Sequence, residues 1–236
     1  MKTEVFPDAD AVAQAAAATI AAAARAAVAA RGRFIMAVSG GRTPWIMLRA
    51  LAAEEVPWSD VHIFQVDERI APAGDPDRNL THLRASLLDH APLPPNQIYD
   101  MPVEASDLEG ALRQYEQVLQ RIAGAPPVLD IAHLGLGPDG HTASLVPGDP
   151  ALSVTDADVA LTGPYMGRRR MTLTYPILNR SRQILWLVTG SEKATMFRRL
   201  LAGDKSIPAA RVNQDQAEVL ADRAAAGEAN STAKVS

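Results

Sequence analysis

An apolar run, Val128 to Leu134, ends abruptly in Gly135-Leu136-Gly137-Pro138-Asp139-Gly140-His141. The run is short and bounded by turn residues, so it reads as a buried strand. Glycines and a proline then break the strand. Thr142, Ala143, Ser144 and Leu145 follow, compatible with a short helix before Pro147 and Gly148 end the segment. A strand that passes through a glycine turn into a helix builds a phosphate-sized hollow faced by backbone N–H groups. Asp139 and His141 stand inside that turn, and a His beside an Asp there suits acid–base chemistry. A tight turn whose His merely caps a helix is the plainer alternative. The turn by itself admits both.

Strand-then-helix patterning recurs along the chain. Asp8 or Asp10 can cap a first helix that runs to about Ala30, where Gly32 stops it. Its alanines resemble a membrane span in length, but Gln14 and Arg25 interrupt them. Alanine is the best helix former and only weakly apolar, so a soluble helix is expected. Phe34 to Val38 reads as a strand and is followed by Ser39-Gly40-Gly41-Arg42-Thr43-Pro44. Thr43 fits the N-cap and Pro44 the first position of the next helix. Two glycines, two hydroxyls and an arginine at a helix start suit a phosphate monoester. The spacing is neither a P-loop nor a dinucleotide fingerprint. An ordinary loop is the alternative.

Val61 to Val66 is the next strand and ends in Asp67-Glu68-Arg69, where an open α/β sheet would place its ligand. A solvated charge cluster is the competing reading. Asn79 opens a helix on which His82 and His90 read as surface residues. Gln97 to Met101 reads as a short strand, and Glu104 to about Ile122 as an amphipathic helix. Val159 to Thr162 reads as a strand, and Arg168-Arg169-Arg170 precedes the alternating Met171-Thr172-Leu173-Thr174. Those arginines are either a solvated strand start or an anion site. Pro176 to Asn179 is a turn or short helix. Gln183 to Thr189 is a strong strand, and Gly190 leads into a helix from Ser191 to Leu201. Lys193 in its first turn opposes the helix dipole, and a bound anion is one explanation.

Alternating strands and helices imply an α/β fold with a mostly parallel sheet covered on both faces. At 236 residues a single domain over positions 1–227 is expected, with 228–236 a polar, disordered tail. Apolar residues make up 47% of the chain, enough for a sizeable core. The net charge of -4 argues against a nucleic-acid partner. With no cysteine, disulfides, thiolate metal sites and a Cys nucleophile are excluded. The five His are scattered, without metal-like spacing beside carboxylates, so neither metal nor cofactor is expected. No charged-then-apolar leader opens the sequence, which makes a cytoplasmic protein the expectation.

Four blocks taken together carry a resemblance. They are Ser39 to Pro44; Val66 to Arg69 with Asn79; Gly135 to Leu145; and Arg170 to Thr174 with Gly190 to Ala194. In that order the chain resembles the 6-phosphogluconolactonase family over nearly its whole length. The resemblance implies a Rossmann-like, doubly wound sheet shared with glucosamine-6-phosphate deaminase, with a few added antiparallel strands. It also implies hydrolysis of 6-phospho-D-glucono-1,5-lactone to 6-phosphogluconate, the second step of the oxidative pentose phosphate pathway. The partner would be a small sugar-phosphate lactone, handled by a monomer or weak homo-oligomer. Two departures are visible: Val146 where the family often has Phe, and Arg78 where it often has Ser.

For that reaction His141 is the expected base, taking a proton from water and returning it to the ring oxygen. Arg69 would stabilise the oxyanion or hold the lactone. Asp67 or Asp139 would orient His141 or Arg69, and the N–H groups of the glycine turn could serve as oxyanion donors. Gly40, Gly41, Arg42 and Thr43 would hold the phosphate, with Arg170 and Lys193 closing from other loops. Ser144 lacks a nucleophile-elbow setting, which disfavours a Ser–His–Asp mechanism. The deaminase pattern resembles this one, but it places a Glu where this chain has Val146. A non-catalytic sugar-phosphate sensor would be expected to carry a DNA-binding helix pair ahead of this domain, and only one Ala-rich helix precedes the first predicted strand.

Overall fold

The computed structural model describes residues 1–227; the tail read at 228–236 lies outside the described residues. β1 (Lys2–Phe6) leads into α1 (Ala9–Arg31), and β2 (Phe34–Val38) into α2 (Arg42–Leu51). β3 (Val61–Gln65) and β4 (Asp67–Arg69) precede α3 (Asn79–Leu83), and β5 (Ile98–Tyr99) precedes α4 (Leu108–Ala123). Then come β6 (Ile131–Gly135), β7 (Val159–Leu161), β8 (Arg170–Leu173), α5 (Tyr175–Arg180), β9 (Gln183–Val188) and α6 (Ala194–Leu201). β10 (Ala217–Asp222) and α7 (Arg223–Ala226) complete the described chain.

Seven strands form one sheet in the order β1-β10-β9-β6-β2-β3-β5, and every pairing in it is parallel. β4, β8 and β7 make a small antiparallel sheet. Parallel strands buried on both faces need continuous apolar runs, and β2 is buried at every residue. Phe34 and Met36 point into a core shared with α1 and α2. Ile35 and Ala37 point into the opposite core, with α4, α5 and α6. From β2 the chain runs outward to β3 and β5, then returns to lay β6 on the other side of β2. The loops after β2 and β6 therefore diverge, and a crevice opens at the carboxyl ends of these two strands.

Asp8 caps α1 by accepting the Ala11 N–H at 2.9 Å, and Gly32 ends the helix at φ 72°. α1 is long and apolar enough to cross a membrane by length and composition. In the fold its Val12, Ala16, Ile20 and Ala24 face is fully buried against the sheet and α2.

Three sequence readings need correction. β1 and β10 were not expected; β1 is an edge strand whose Lys2 and Glu4 hide its pairing, Lys2 reaching Glu218 of β10 at 2.9 Å. Thr43 is not the N-cap of α2: Gly41, at φ 137°, holds that position and Thr43 is already helical. No helix follows the glycine turn. Thr142 and Leu145 bridge across a tight turn in which Ala143 adopts φ 51°.

His133, on central β6, is fully buried, and its Nδ1 accepts the Ser39 N–H at 3.2 Å. Burial pushes this imidazole down from 6.5 to about 4. The unfolded chain therefore takes up a proton that the folded chain refuses. Stability is full above pH 6.5 and declines as pH falls toward about 4. The loss expected from this group is about 3 kcal/mol. Urea midpoints measured from pH 7 to pH 4 should show this decline, and His133→Asn should remove this component of the slope.

Candidate active site

The crevice is a cavity of about 690 Å³ at the carboxyl ends of β2, β6 and β9. Every residue given a catalytic or phosphate-binding role from the sequence lines it except Asp139, which stands behind His141. The glycine turn after β6 is closed by its own backbone. Gly137 N–H donates to the His141 carbonyl at 2.8 Å, and Gly140 N–H to the Gly137 carbonyl at 3.0 Å. The His141 N–H donates to Asp139 Oδ1 at 3.1 Å. These N–H groups are therefore engaged within the turn and do not form an oxyanion cradle.

What the turn does provide is a fixed imidazole. His141 Nδ1 lies 2.5 Å from Asp139 Oδ1. Burial pushes the Asp139 carboxyl up, but the His141 N–H, the imidazole beside it and the Tyr165 hydroxyl outweigh this and hold it below the ordinary carboxylate range. As an ionised carboxylate only accepts, Nδ1 must carry the proton, and neutral His141 keeps its lone pair on Nε2. The sequence left Asp67 and Asp139 open as the partner of His141; the contact belongs to Asp139.

Asp67, 5% exposed, belongs to a second group. Its Oδ2 accepts the Ser144 hydroxyl at 2.6 Å, and Asn79 Nδ2 donates to its backbone carbonyl at 2.9 Å. Ser144 therefore points at Asp67 and not at an imidazole, the opposite of a Ser–His pair. Arg170 Nη1 reaches the same hydroxyl at 3.4 Å, while its guanidinium lies 4.9 Å from the centre of the Tyr165 ring. Burial, aided by the nearby positive Arg69, lowers the Arg170 guanidinium despite Asp67. Arg69 Nη1 donates to Asn79 Oδ1 at 2.9 Å and to the Asp77 carbonyl at 2.8 Å. Two cations are thus aimed from neighbouring strands, β4 and β8, paired at Arg69 and Arg170.

Asp67-Glu68-Arg69 is not a solvated charge cluster. Glu68 is fully buried and accepts the N–H groups of Arg69, Asn79 and Leu80 at 2.7–2.8 Å. Arg78, itself 2% exposed, pairs with Glu68 at 3.2 Å and with Glu104 at 2.7 Å. The substitution of Arg at this position is therefore matched by two carboxylates. Val146, the other departure, is buried.

At the far side of the cavity, α2 begins beside β9. Thr43 and Thr189 share a hydroxyl hydrogen bond of 2.7 Å, tying the start of α2 to the loop before Gly190. Gly40 is needed for space: a Cβ there would lie 2.0 Å from Asn79 Oδ1. Arg42 is exposed and Lys193 half-buried, and both side chains line the cavity. Asn79, Thr189, Tyr165 and Glu68 were not assigned to the site from sequence. They act through contacts between distant segments, which spacing does not show. Among the described residues no group of three or more His, Asp or Glu side chains is arranged to hold a metal ion.

The profile of the family described as glucosamine-6-phosphate isomerases/6-phosphogluconolactonase matches residues 7–221. The chain is 40% identical to the 6-phosphogluconolactonase of Mycobacterium tuberculosis, covering 94% of this chain and 96% of that protein. The solved 6-phosphogluconolactonase of Thermotoga maritima superposes with a TM-score of 0.84 at 26% identity, covering 94% of this chain and 98% of that one. A monomeric glucosamine-6-phosphate deaminase superposes equally well, TM-score 0.84 over 96% of this chain and 99% of that one, and at 22% identity shows the shared fold alone.

Gly137 lies directly against the His141 ring. A Cβ on it would lie 2.1 Å from His141 Nδ1 and 2.3 Å from Cε1, so the imidazole rests on the glycine. Gly137→Ala should fold, because its backbone is not in the left-handed region, yet displace the ring. Steady-state kinetics on 6-phosphogluconolactone should show a roughly hundredfold fall in kcat/KM, the cost of misplacing a reacting group by about 1 Å. The melting temperature should stay close to that of the parent.

Proposed function

Since the chain belongs to the glucosamine-6-phosphate isomerase/6-phosphogluconolactonase family, we propose that it hydrolyses 6-phospho-D-glucono-1,5-lactone to 6-phosphogluconate with water activated by His141. The observation that carries this reading is the Asp139–His141 contact of 2.5 Å, which leaves Nε2 as the free, basic nitrogen on the cavity wall.

In this mechanism Nε2 takes a proton from a water molecule as the water oxygen attacks the lactone carbonyl carbon. The carbonyl oxygen becomes an oxyanion, and Arg69 lies within the same cavity to meet it. The tetrahedral intermediate collapses, the bond from C1 to the ring oxygen breaks, and the imidazolium returns its proton to that oxygen. Asp139 holds the imidazolium while it is charged. Ring opening yields the freed hydroxyl and a carboxylic acid, which releases its proton to solvent to become the carboxylate, and the base is regenerated.

In this reading the substrate phosphate binds at the start of α2. The first N–H groups of a helix have no partner within it, and the dipole there is positive. Gly41, Arg42 and Thr43 supply this end, and Lys193 and Arg170 add charge from the β9–α6 loop and from β8. The deaminase reading is the weaker one here, because buried, apolar Val146 stands where the deaminase pattern has its Glu.

Removing either closing cation should weaken the grip on the substrate. Arg170→Ala and Lys193→Ala should each lower kcat/KM on the phosphorylated lactone roughly ten- to hundredfold, the value of a charge-assisted contact. Hydrolysis of unphosphorylated gluconolactone should change little. Unaltered kinetics on the phosphorylated substrate would make that residue a bystander.

His141→Asn removes the proton acceptor and leaves the phosphate end intact. Turnover should fall by about 10²- to 10⁴-fold. The affinity for 6-phosphogluconate, measured calorimetrically, should stay close to that of the parent. The assay is a pH-stat on fresh 6-phosphogluconolactone corrected for spontaneous opening, with glucosamine 6-phosphate run beside it. A variant that keeps more than about a tenth of the parent turnover would sink the base assignment, and measurable ammonia release from the amino sugar would favour the deaminase.

A further inference from the structure

Between β7 and β8 the chain makes a tight hairpin that lies against the Asp139–His141 pair. Tyr165 and Arg168 exchange backbone hydrogen bonds of 3.0 and 3.2 Å across Met166 and Gly167. Those two residues have φ 51° and 79°, the consecutive positive values of a two-residue hairpin turn. The hairpin is anchored from outside. Arg168 pairs with Asp77 at 2.8 Å and with Asp75 at 3.1 Å, on the loop whose Asp77 carbonyl also receives Arg69.

This arrangement gives Tyr165 three functional contacts. Its hydroxyl donates to Asp139 Oδ2 at 3.1 Å. Its ring stands edge-on to the His141 imidazole, with centroids 5.4 Å apart at 67°. Its face receives the Arg170 guanidinium at 4.9 Å. Yet Tyr165 belongs to neither hydrophobic core of the described chain and is only half-buried.

We propose that Tyr165 is a positioning residue that joins the Asp139–His141 pair and Arg170 into one rigid unit and sets the pH at which His141 becomes active. Asp139 uses Oδ1 for His141, both backbone and ring, and Tyr165 is the donor given to Oδ2. Without the phenol that carboxylate is free to turn about its own axis and the imidazole with it. The phenol also withdraws negative charge from Asp139. Its loss leaves a stronger anion beside the imidazole, which favours the protonated ring. The proposal rests on His141 being the base.

Tyr165→Phe tests it, because the ring and its packing remain and only the hydroxyl goes. Two readouts are needed: kcat and KM across pH, and the NMR titration of the His141 imidazole. The expected result is a kcat lower by about three- to tenfold, the value of a single ordinary hydrogen bond, because the phenol acts on the imidazole only through Asp139. KM should be nearly unchanged. The imidazole titration and the acid limb of the rate profile should both move to higher pH, and the melting temperature should not move. A merely structural tyrosine would alter stability and neither of the pH readouts. An unmoved imidazole titration overturns the proposal. So does a moved titration with parental kcat, since Tyr165 would then touch the pair without serving turnover. His141→Asn measured in parallel separates the two failures: if that variant is also active, it is the base assignment that has failed.

Discussion

The divergence of the chain on either side of β2 and β6 is the constraint from which the site follows. Adjacent parallel strands that continue in opposite directions cannot have their following loops packed together. The space left between them receives the Gly40–Gly41 turn from one side and the Gly137–His141 turn from the other. Glycine is required in both, for different reasons. At Gly137 the imidazole occupies the volume a Cβ would need, and at Gly40 the Asn79 amide does. The crevice is therefore a product of topology, but its working distances are set by side chains lying against bare backbone.

Charges buried around such a crevice are stable only when every one has partners. Glu68 meets this requirement by accepting the N–H groups that open α3. That fixes Asn79, whose amide in turn holds the Asp67 carbonyl and receives Arg69. Arg78 and Glu104 complete the outer side of the network. A buried carboxylate outside the cavity lining thus determines where the Asn79 amide and the Arg69 guanidinium point.

Periodicity showed the interior strands and the long helices, because β2, β3, β6 and β9 are apolar runs bounded by turn residues. It missed β1 and β10, where charged and small residues on an edge pairing leave little apolar signal. Thr142 to Leu145 has helix-compatible composition, yet the fold makes it a tight turn: Ala143 takes a positive φ, and Ser144 is drawn onto Asp67. Asp67, Arg69, Asp139 and His141 were legible because each is a charged or titratable residue beside a strand end. Their partners were not. Tyr165 follows His141 by a long excursion through β7, and nothing in the spacing marks it as the residue that would lie over Asp139.

The pairing of β1 with β10 bears on how the chain is made. Lys2 and Glu218, bonded across these strands, are 216 positions apart. On the ribosome β1 and α1 emerge well ahead of β10, while the sheet position that β1 fills exists only once β10 has docked on β9. So distant a contact forms late, because its loop-closure entropy is met only after the intervening strands have assembled. During synthesis the first strand must therefore wait unpaired. The charges of Lys2 and Glu4, which obscure it in the sequence, discourage it from pairing with the wrong neighbour in the meantime.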